Sequence, residues 1–356
     1  MKQKQIETYE HALRRKRLAL WVTAAAAAAA ALLYLGIGSM QIPLREILRA
    51  FAGTGEAKYK TAIWSIRLPR VTAAVLVGAI LASSGAVMQC VLRNPLASAS
   101  TLGVSQGAAF GAAIGIIVFG GGVITSSSAS STVSVDNPAI VTLCAFVCGS
   151  LSSLVVLAIS RLKQNAGAGT LILAGTALSA MFSGGSTLLQ YFADDSALGA
   201  VVFWTFGNLG SANWKDLAVL ALVFVGTFVY FMSNRWNYNA MEAGADTAQS
   251  LGVRTRTVML AGMAVCSLSA AVAVSFVGII SFVGLIAPHI MRIFVGNDHR
   301  YLIPGSALAG ALLLLLADTA AKVIMPPVIL PIGALMSFVG GPMFLFLLFK
   351  GGTGRD

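Results

Sequence analysis

Long apolar blocks separated by short polar stretches run through most of the chain, at about 18–36, 63–92, 99–120, 138–160, 169–191, 214–234, 257–277, 281–295, 303–323 and 331–350. A hydrocarbon layer about 30 Å thick is crossed by about 20 helical residues, so these blocks are candidate membrane spans. Within each block the apolar residues are continuous and do not alternate with period two, which predicts helices rather than strands of a barrel. The expected fold class is therefore an all-α membrane protein of about ten transmembrane helices, a single polytopic domain over 18–350. It is flanked by a basic tail at 1–17 and a short tail at 351–356.

The polar stretches carry the local signals. Arg14, Arg15, Lys16 and Arg17 precede an alanine-rich run in the manner of a signal peptide, but the apolar stretch continues to Ile37, which favours an uncleaved first span. A short amphipathic helix is expected around 44–51 within the next polar segment. Pro95, after Arg93 and Asn94, ends the second span, because proline lacks a donor and pushes its predecessor out of helical geometry. The serine-rich segment at 120–137 reads as a solvated, mobile linker, and Asp194 with Asp195 as a solvated turn. The longest polar loop of the second half, 238–256, holds Glu242, Asp246, Arg254 and Arg256 punctuated by Gly244 and Gly252. It is expected to form a short helix and turn that dock on a separate motor protein.

Composition confirms the class and charge orients it. Apolar residues make up 57% of the chain and charged residues 10%, with a mean hydropathy of +0.83, far from the roughly 25% charge of soluble domains. The net charge of +11 is scattered over loops, not gathered on one face, which argues against nucleic acid as a partner. With ten spans, sixteen of the 24 basic residues fall on the side of the N-terminus and eight on the other. The excess places both termini in the cytoplasm.

The chemistry-bearing residues are few. Gly103, Gly107, Gly111 and Gly115 recur every four residues and predict a helix face that a neighbouring backbone approaches closely. Cys144 and Cys148, like Cys90 and Cys266, read as packing residues, and no metal-ligand pattern accompanies them. Pro288 and His289, with Arg292, Asp298, His299 and Arg300 beyond, read as structural polar groups near the cytoplasmic end of a span. No Gly-Lys dipeptide occurs, so there is no Walker A loop, and no HExxH or GxSxG motif occurs either. No catalytic residue is expected, and any nucleotide energy comes from another subunit. Arg67 and Arg70 flank Pro69 at the outer mouth of the second span, where they could snorkel or offer positive forks to carboxylates. Asp318, the one acid deep in an apolar block, stands four residues before Lys322, so the two could pair on one face.

A run of motifs carries a family resemblance: IRLPR, SGAVMQCVLRNPLASASTLGVSQGA, the loop ending in SLGV, FVGLIAPHIMR with NDHR, ALAGALLLLLAD, and LPIGALMSFVGGPMF. In order and spacing they resemble the permease subunits of ABC importers for iron-siderophores, haem and cobalamin, the FecCD-type transmembrane subunits. The likeness extends from about Trp64 to Leu348. It implies a ten-helix subunit in a bacterial plasma (inner) membrane, paired with an identical or related permease around a central pathway. Two ATPase subunits carrying ATP and magnesium, an extracytoplasmic solute-binding protein and a metal-chelate cargo complete the implied assembly. This chain itself would hold no cofactor.

The resemblance also implies roles for matching positions. Arg67, Arg70 and Lys322 would dock the binding protein, and Asn94, Pro95, Leu96, Ala168 and Gly169 would belong to the cytoplasmic gate. Glu242, Ala243, Gly244, Ala245, Asp246, Leu251 and Gly252 would couple to the ATPase. The chain departs from the family pattern in four places. Lys322 stands where an arginine is usual, Gly244-Ala245 replaces Gly-Glu, Ala99 replaces a proline, and Ala168 and Gly169 replace small hydroxyl residues of some relatives. Of the possible cargoes, ferric siderophore comes first and haem or cobalamin next. The rival is a secondary transporter working without an ATPase, which would need more than one deep intramembrane charge.

Overall fold

The computed structural model describes residues 2–38, 40–120, 122–127, 130–135, 137–162, 167–326 and 328–352. Among the described residues, seven helices are long and apolar enough to cross a membrane, and three shorter apolar helices occupy the remaining predicted blocks, at Val104–Val118, Val283–Val295 and Ile332–Phe346. α1 (Lys2–Gly36) makes the basic tail and the first apolar block one continuous helix. The expected amphipathic segment is α2 (Leu44–Phe51), which buries Ile47 and Ala50 and leaves Arg45 and Arg49 exposed. α3 (Ala57–Thr61) runs through the wide turns of 62–67, where Leu68 N–H reaches back five residues to Ile63, into α4 (Leu68–Val91).

α4 is the centre of the fold, buried along most of its length between the helices that follow it in sequence. The chain leaves it through Arg93 in a left-handed conformation (φ 48°) and a turn in which Asn94 Oδ1 accepts from Leu96 N–H at 2.8 Å. α5 (Val104–Ala113) follows, starting from Gly103 at φ 84°. The glycine ladder packs as expected. A Cβ at Gly107 or Gly111 would sit 2.7 or 2.1 Å from the carbonyl oxygens of Cys148 and Cys144 on α6 (Pro138–Leu162). The segment before α6, expected as a mobile linker, is instead an antiparallel two-stranded ribbon of β1 (Gly122–Ser127) and β2 (Ser130–Val135), with Gly122 opposite Val135.

The second half repeats the use of caps. α7 (Ala168–Tyr191) is followed by α8 (Asp195–Thr205), a helix not anticipated from the sequence. Asp194 accepts from Ala197 N–H at 2.7 Å and so starts it. α9 (Trp214–Ser233) begins in a capping box, with Asn213 accepting from Lys215 and Asp216 N–H and Asp216 accepting from Asn213 N–H. α10 (Arg235–Glu242) and α11 (Ala245–Ser250) form the polar loop. α12 (Thr255–Val277), α13 (Val283–Val295), α14 (His299–Val323) and α15 (Ile332–Gly352) complete the chain.

Two glycine crossings unseen in the sequence bind α4 to its neighbours. A Cβ at Gly85 would lie 1.8 Å from Gly284 O on α13, and one at Gly310 on α14 would lie 2.2 Å from Gly78 O. Backbones this close are possible only without side chains, and the gain is dispersion over a long contact rather than a hydrophobic transfer.

Candidate functional site

α14 connects two polar poles. Asp298 caps one end of it and Asp318 lies near the other, twenty residues or about 30 Å away along the axis.

At the Asp318 pole the polar side chains satisfy one another. Asp318 is 0% exposed and accepts from Arg70 Nε and Nη2 at 2.8 and 2.7 Å, a bidentate pair, and from the Tyr34 hydroxyl on α1. Arg67, 7% exposed, donates to the carbonyls of Leu35 and Met40, holding the turn after α1. The sequence reading of Arg67 and Arg70 as outward forks is corrected here, because both guanidiniums face inward. The expected pair of Asp318 with Lys322 is corrected too. Lys322 Nζ stands 3.3 Å from the centroid of the Tyr34 ring, while Arg70 takes the carboxylate. A planar guanidinium matches both carboxylate oxygens where a single ammonium cannot. Tyr34 is the member of this network that sequence reasoning missed. A lone tyrosine at the end of an apolar block gives no signal beyond its polar tip.

At the Asp298 pole the predicted coupling loop has the form of a helix, a hairpin turn and a shorter helix. Glu242 ends α10 and is exposed; Ala243 and Gly244 (φ 122°) make the turn; Ala245 opens α11. Gly252 at φ 80° turns the chain out again, where a side chain would be strained. Tyr238, Met241 and Ala248 anchor the loop in a core shared with Leu92, Ala97, Leu102 and Leu171. Asp246, Thr247, Gln249 and Ser250 are left exposed, and Leu251 is 68% exposed. Arg256 pins the far side of the loop by donating to the carbonyls of Ser160 and Arg161 at the end of α6.

That shared core brings the predicted gate residues to the same pole. The Asn94–Pro95–Leu96 turn leaves its own side chains at or near the surface while Leu92 and Ala97 on either side are buried. A Cβ on Gly244 would lie 3.8 Å from Arg93, which begins this turn, so coupling loop and gate turn are neighbours. Ala168 and Gly169 form the first turn of α7, two residues before the buried Leu171, and Gly169 faces open space.

Asp298 organises the rest of the pole. It accepts from Arg300 N–H at 3.1 Å, from the Arg300 guanidinium at 2.7 Å and from Asn239 Nδ2 at 3.1 Å, with Lys16 of the basic tail 3.7 Å away. Burial pushes its carboxyl up, but the hydrogen bonds from Arg300 and Asn239 outweigh it and hold the group down at about 2. A folded-state value below the unfolded one near 4 gives stability that is complete above pH 4 and lost as the pH falls toward 2. Asp298→Asn is therefore expected to lower stability by roughly 1–2 kcal/mol at pH 7, and the deficit to shrink below pH 4. Thermal unfolding of both proteins across that range checks it, and a deficit independent of pH would contradict it.

Residues 26–350 match the profile of the FecCD transport family. The chain is 48% identical over 316 residues to the putative ABC transporter permease protein MJ0087 of Methanocaldococcus jannaschii, covering 89% of each. It is 34% identical to the hemin transport system permease protein HmuU of Yersinia pestis, covering 88% of this chain and 90% of that one. It is 37% identical to the iron(3+)-hydroxamate import system permease protein FhuB of Bacillus subtilis, covering 88% and 78%. Among solved structures, an inward-facing conformation of a putative metal-chelate type ABC transporter superposes with a TM-score of 0.80 at 30% identity, over 93% of this chain and 98% of that one.

Proposed function

This chain belongs to the FecCD transport family, and from that premise we propose that it is the permease of an ATP-driven importer for a bulky metal chelate, with ferric siderophore as the first cargo to test. The observation that carries the reading is the exposed α11 with Leu251, rooted in the same core as the Asn94–Leu96 turn. A displacement imposed on α11 from outside the membrane is passed by Tyr238, Met241 and Ala248 to the ends of α4 and α7, because a close-packed core moves as a body. Two ATPase subunits on this face would change the separation of two coupling loops, one from each permease of a pair, and exchange an outward cavity for an inward one. The chemistry of hydrolysis, with its ATP and magnesium, stays on the partners.

All ten apolar helices would then cross the cell membrane, with both termini, the gate turn and α11 in the cytoplasm, as the excess of basic residues on that side favours. The Asp318 pole would face outward and receive the solute-binding protein. With Arg67 and Arg70 committed internally and Lys322 packed on the Tyr34 ring, their part in docking is to hold the surface in shape, and the exposed Arg45 of α2 offers a cation to an acidic partner. Ferric siderophore is placed before haem on the breadth of iron-chelate import among such permeases; both cargoes appear among the names of the relatives.

The test is ATP hydrolysis by the chain reconstituted with its neighbouring ATPase and binding protein, against ferric siderophores, haem and cobalamin. Stimulation by one class of chelate is expected. A chain that captures no ATPase and transports without ATP would instead be a secondary transporter.

A further inference from the structure

Three side chains with metal-binding atoms meet beneath the coupling loop: Cys90 at the end of α4, Glu242 at the end of α10 and His299 at the start of α14. Their donor atoms all lie within 4.8 Å of one another. Cys90 and His299 are buried and Glu242 is exposed. Cys90 belongs to the same core as Tyr238 and Met241, and Glu242 lies at the start of the turn into α11.

The state of His299 points to a ligand. Its ring is 0% exposed, yet Nε2 has no hydrogen-bond partner, a costly omission for a buried polar atom. The hydrogen-bond network assigns its tautomer. Asn239 Oδ1 accepts from His299 N–H at 2.8 Å, and Asn239 Nδ2 donates to Asp298 at 3.1 Å, so the atom facing His299 Nδ1 at 3.1 Å is an oxygen. Nδ1 therefore carries the proton, and Nε2, buried and without a partner, is the ring nitrogen whose lone pair is free for a metal. An imidazole oriented from behind by an amide, itself held by a carboxylate, has the outer-shell support of a metal ligand.

We propose that Cys90, Glu242 and His299 form a three-ligand site for a borderline-soft divalent cation of the zinc class. Thiolate, carboxylate and neutral imidazole are the donors such an ion takes, with water or a fourth group completing a tetrahedron. Two ligand charges cancel the two charges of the ion. Binding exchanges the S–H bond of Cys90, whose thiol now donates to Tyr238 O at 3.4 Å, for an S–metal bond, and the proton leaves to solvent past the exposed Glu242. Donor separations in a tetrahedral site are about 3.3–3.8 Å, and the free rotamers of Glu242 supply most of the closing movement. Arg292, a nearby cation, is tied to Gln89 Oε1. Occupancy would clamp α10 to α4 and α14, restraining the helix that leads into the coupling loop. That consequence alone depends on the importer reading; the site does not.

The experiment is titration of the full-length chain in detergent with Co²⁺ under mild reductant, followed by Zn²⁺ competition. One equivalent of Co²⁺ is expected with a near-ultraviolet thiolate-to-metal band, which Zn²⁺ abolishes. Cys90→Ser should remove the band. Asn239→Ala, which releases the tautomer of His299 without touching a donor, should weaken binding about 10- to 100-fold. Glu242→Gln, at an exposed position that leaves the fold intact, should weaken binding while keeping the band. No band in the wild-type chain, or a band that survives Cys90→Ser and so belongs to Cys144, Cys148 or Cys266, overturns the proposal. Since no ATPase is present, failure here leaves the importer reading untouched.

Discussion

Arg70→Met is expected to destabilise the chain by about 3–5 kcal/mol, the usual cost of removing one partner of a buried ion pair. Asp318 would keep only the Tyr34 hydroxyl and would be a carboxylate with 0% exposure and no bidentate partner. Asp318→Leu should cost a similar amount from the opposite direction. It leaves Arg67, Arg70 and Lys322, three cations around Tyr34, without an acid among them. The double change Arg70→Met with Asp318→Leu should recover most of the loss, because apolar groups of similar size often replace a buried pair at little cost. Thermal unfolding of the four proteins in one detergent gives the coupling energy. Single variants within about 0.5 kcal/mol of wild type would show that the pair does not hold this pole.

The second large effect is on coupling rather than stability. Leu251→Asp combined with Asp246→Arg places a charge on the exposed apolar tip of the loop and reverses the charge at the start of α11. Both side chains are exposed, so the melting temperature of the isolated chain should hardly change. Removal of one apolar anchor from a protein interface commonly costs 2 kcal/mol or more, about 30-fold in affinity. Co-purification with the ATPase and cargo-stimulated hydrolysis are expected to fall by at least that factor. Full retention of both would move the docking surface elsewhere on this face. Changes at residue 299 act on the proposed cation site, whereas Glu242 belongs to both the loop and that site, and Co²⁺ binding separates the two effects.

The apolar blocks were legible because a membrane imposes a length and a composition that no other solvent requires. Ten predicted blocks correspond to seven long and three shorter helices, and the helix at 44–51 lies where its amphipathic pattern placed it. The loop at 238–256 was legible as polar sequence between apolar blocks, with Gly244 and Gly252 at its turns. α8 was missed because its apolar run of Ala197–Thr205 is too short to span and its cap, Asp194, reads equally as a turn. The ribbon at 122–135 was missed because serine-rich composition suggests a linker, whereas pairing depends on register between two strands.

What the sequence by itself determined is therefore the apolar and polar segments, the helical class and the family, since these follow from local hydropathy and from motifs read in order. Partnership was decided only in three dimensions. Asp318 had Lys322 one turn away and took Arg70, 248 positions distant, because the fork of a guanidinium fits a carboxylate. Gly85 met Gly284, and Cys90 met Glu242 and His299, through helix crossings that one-dimensional spacing cannot encode. Charges, glycines and ligands act within a few ångströms, and which atoms come within that distance depends on how the helices pack.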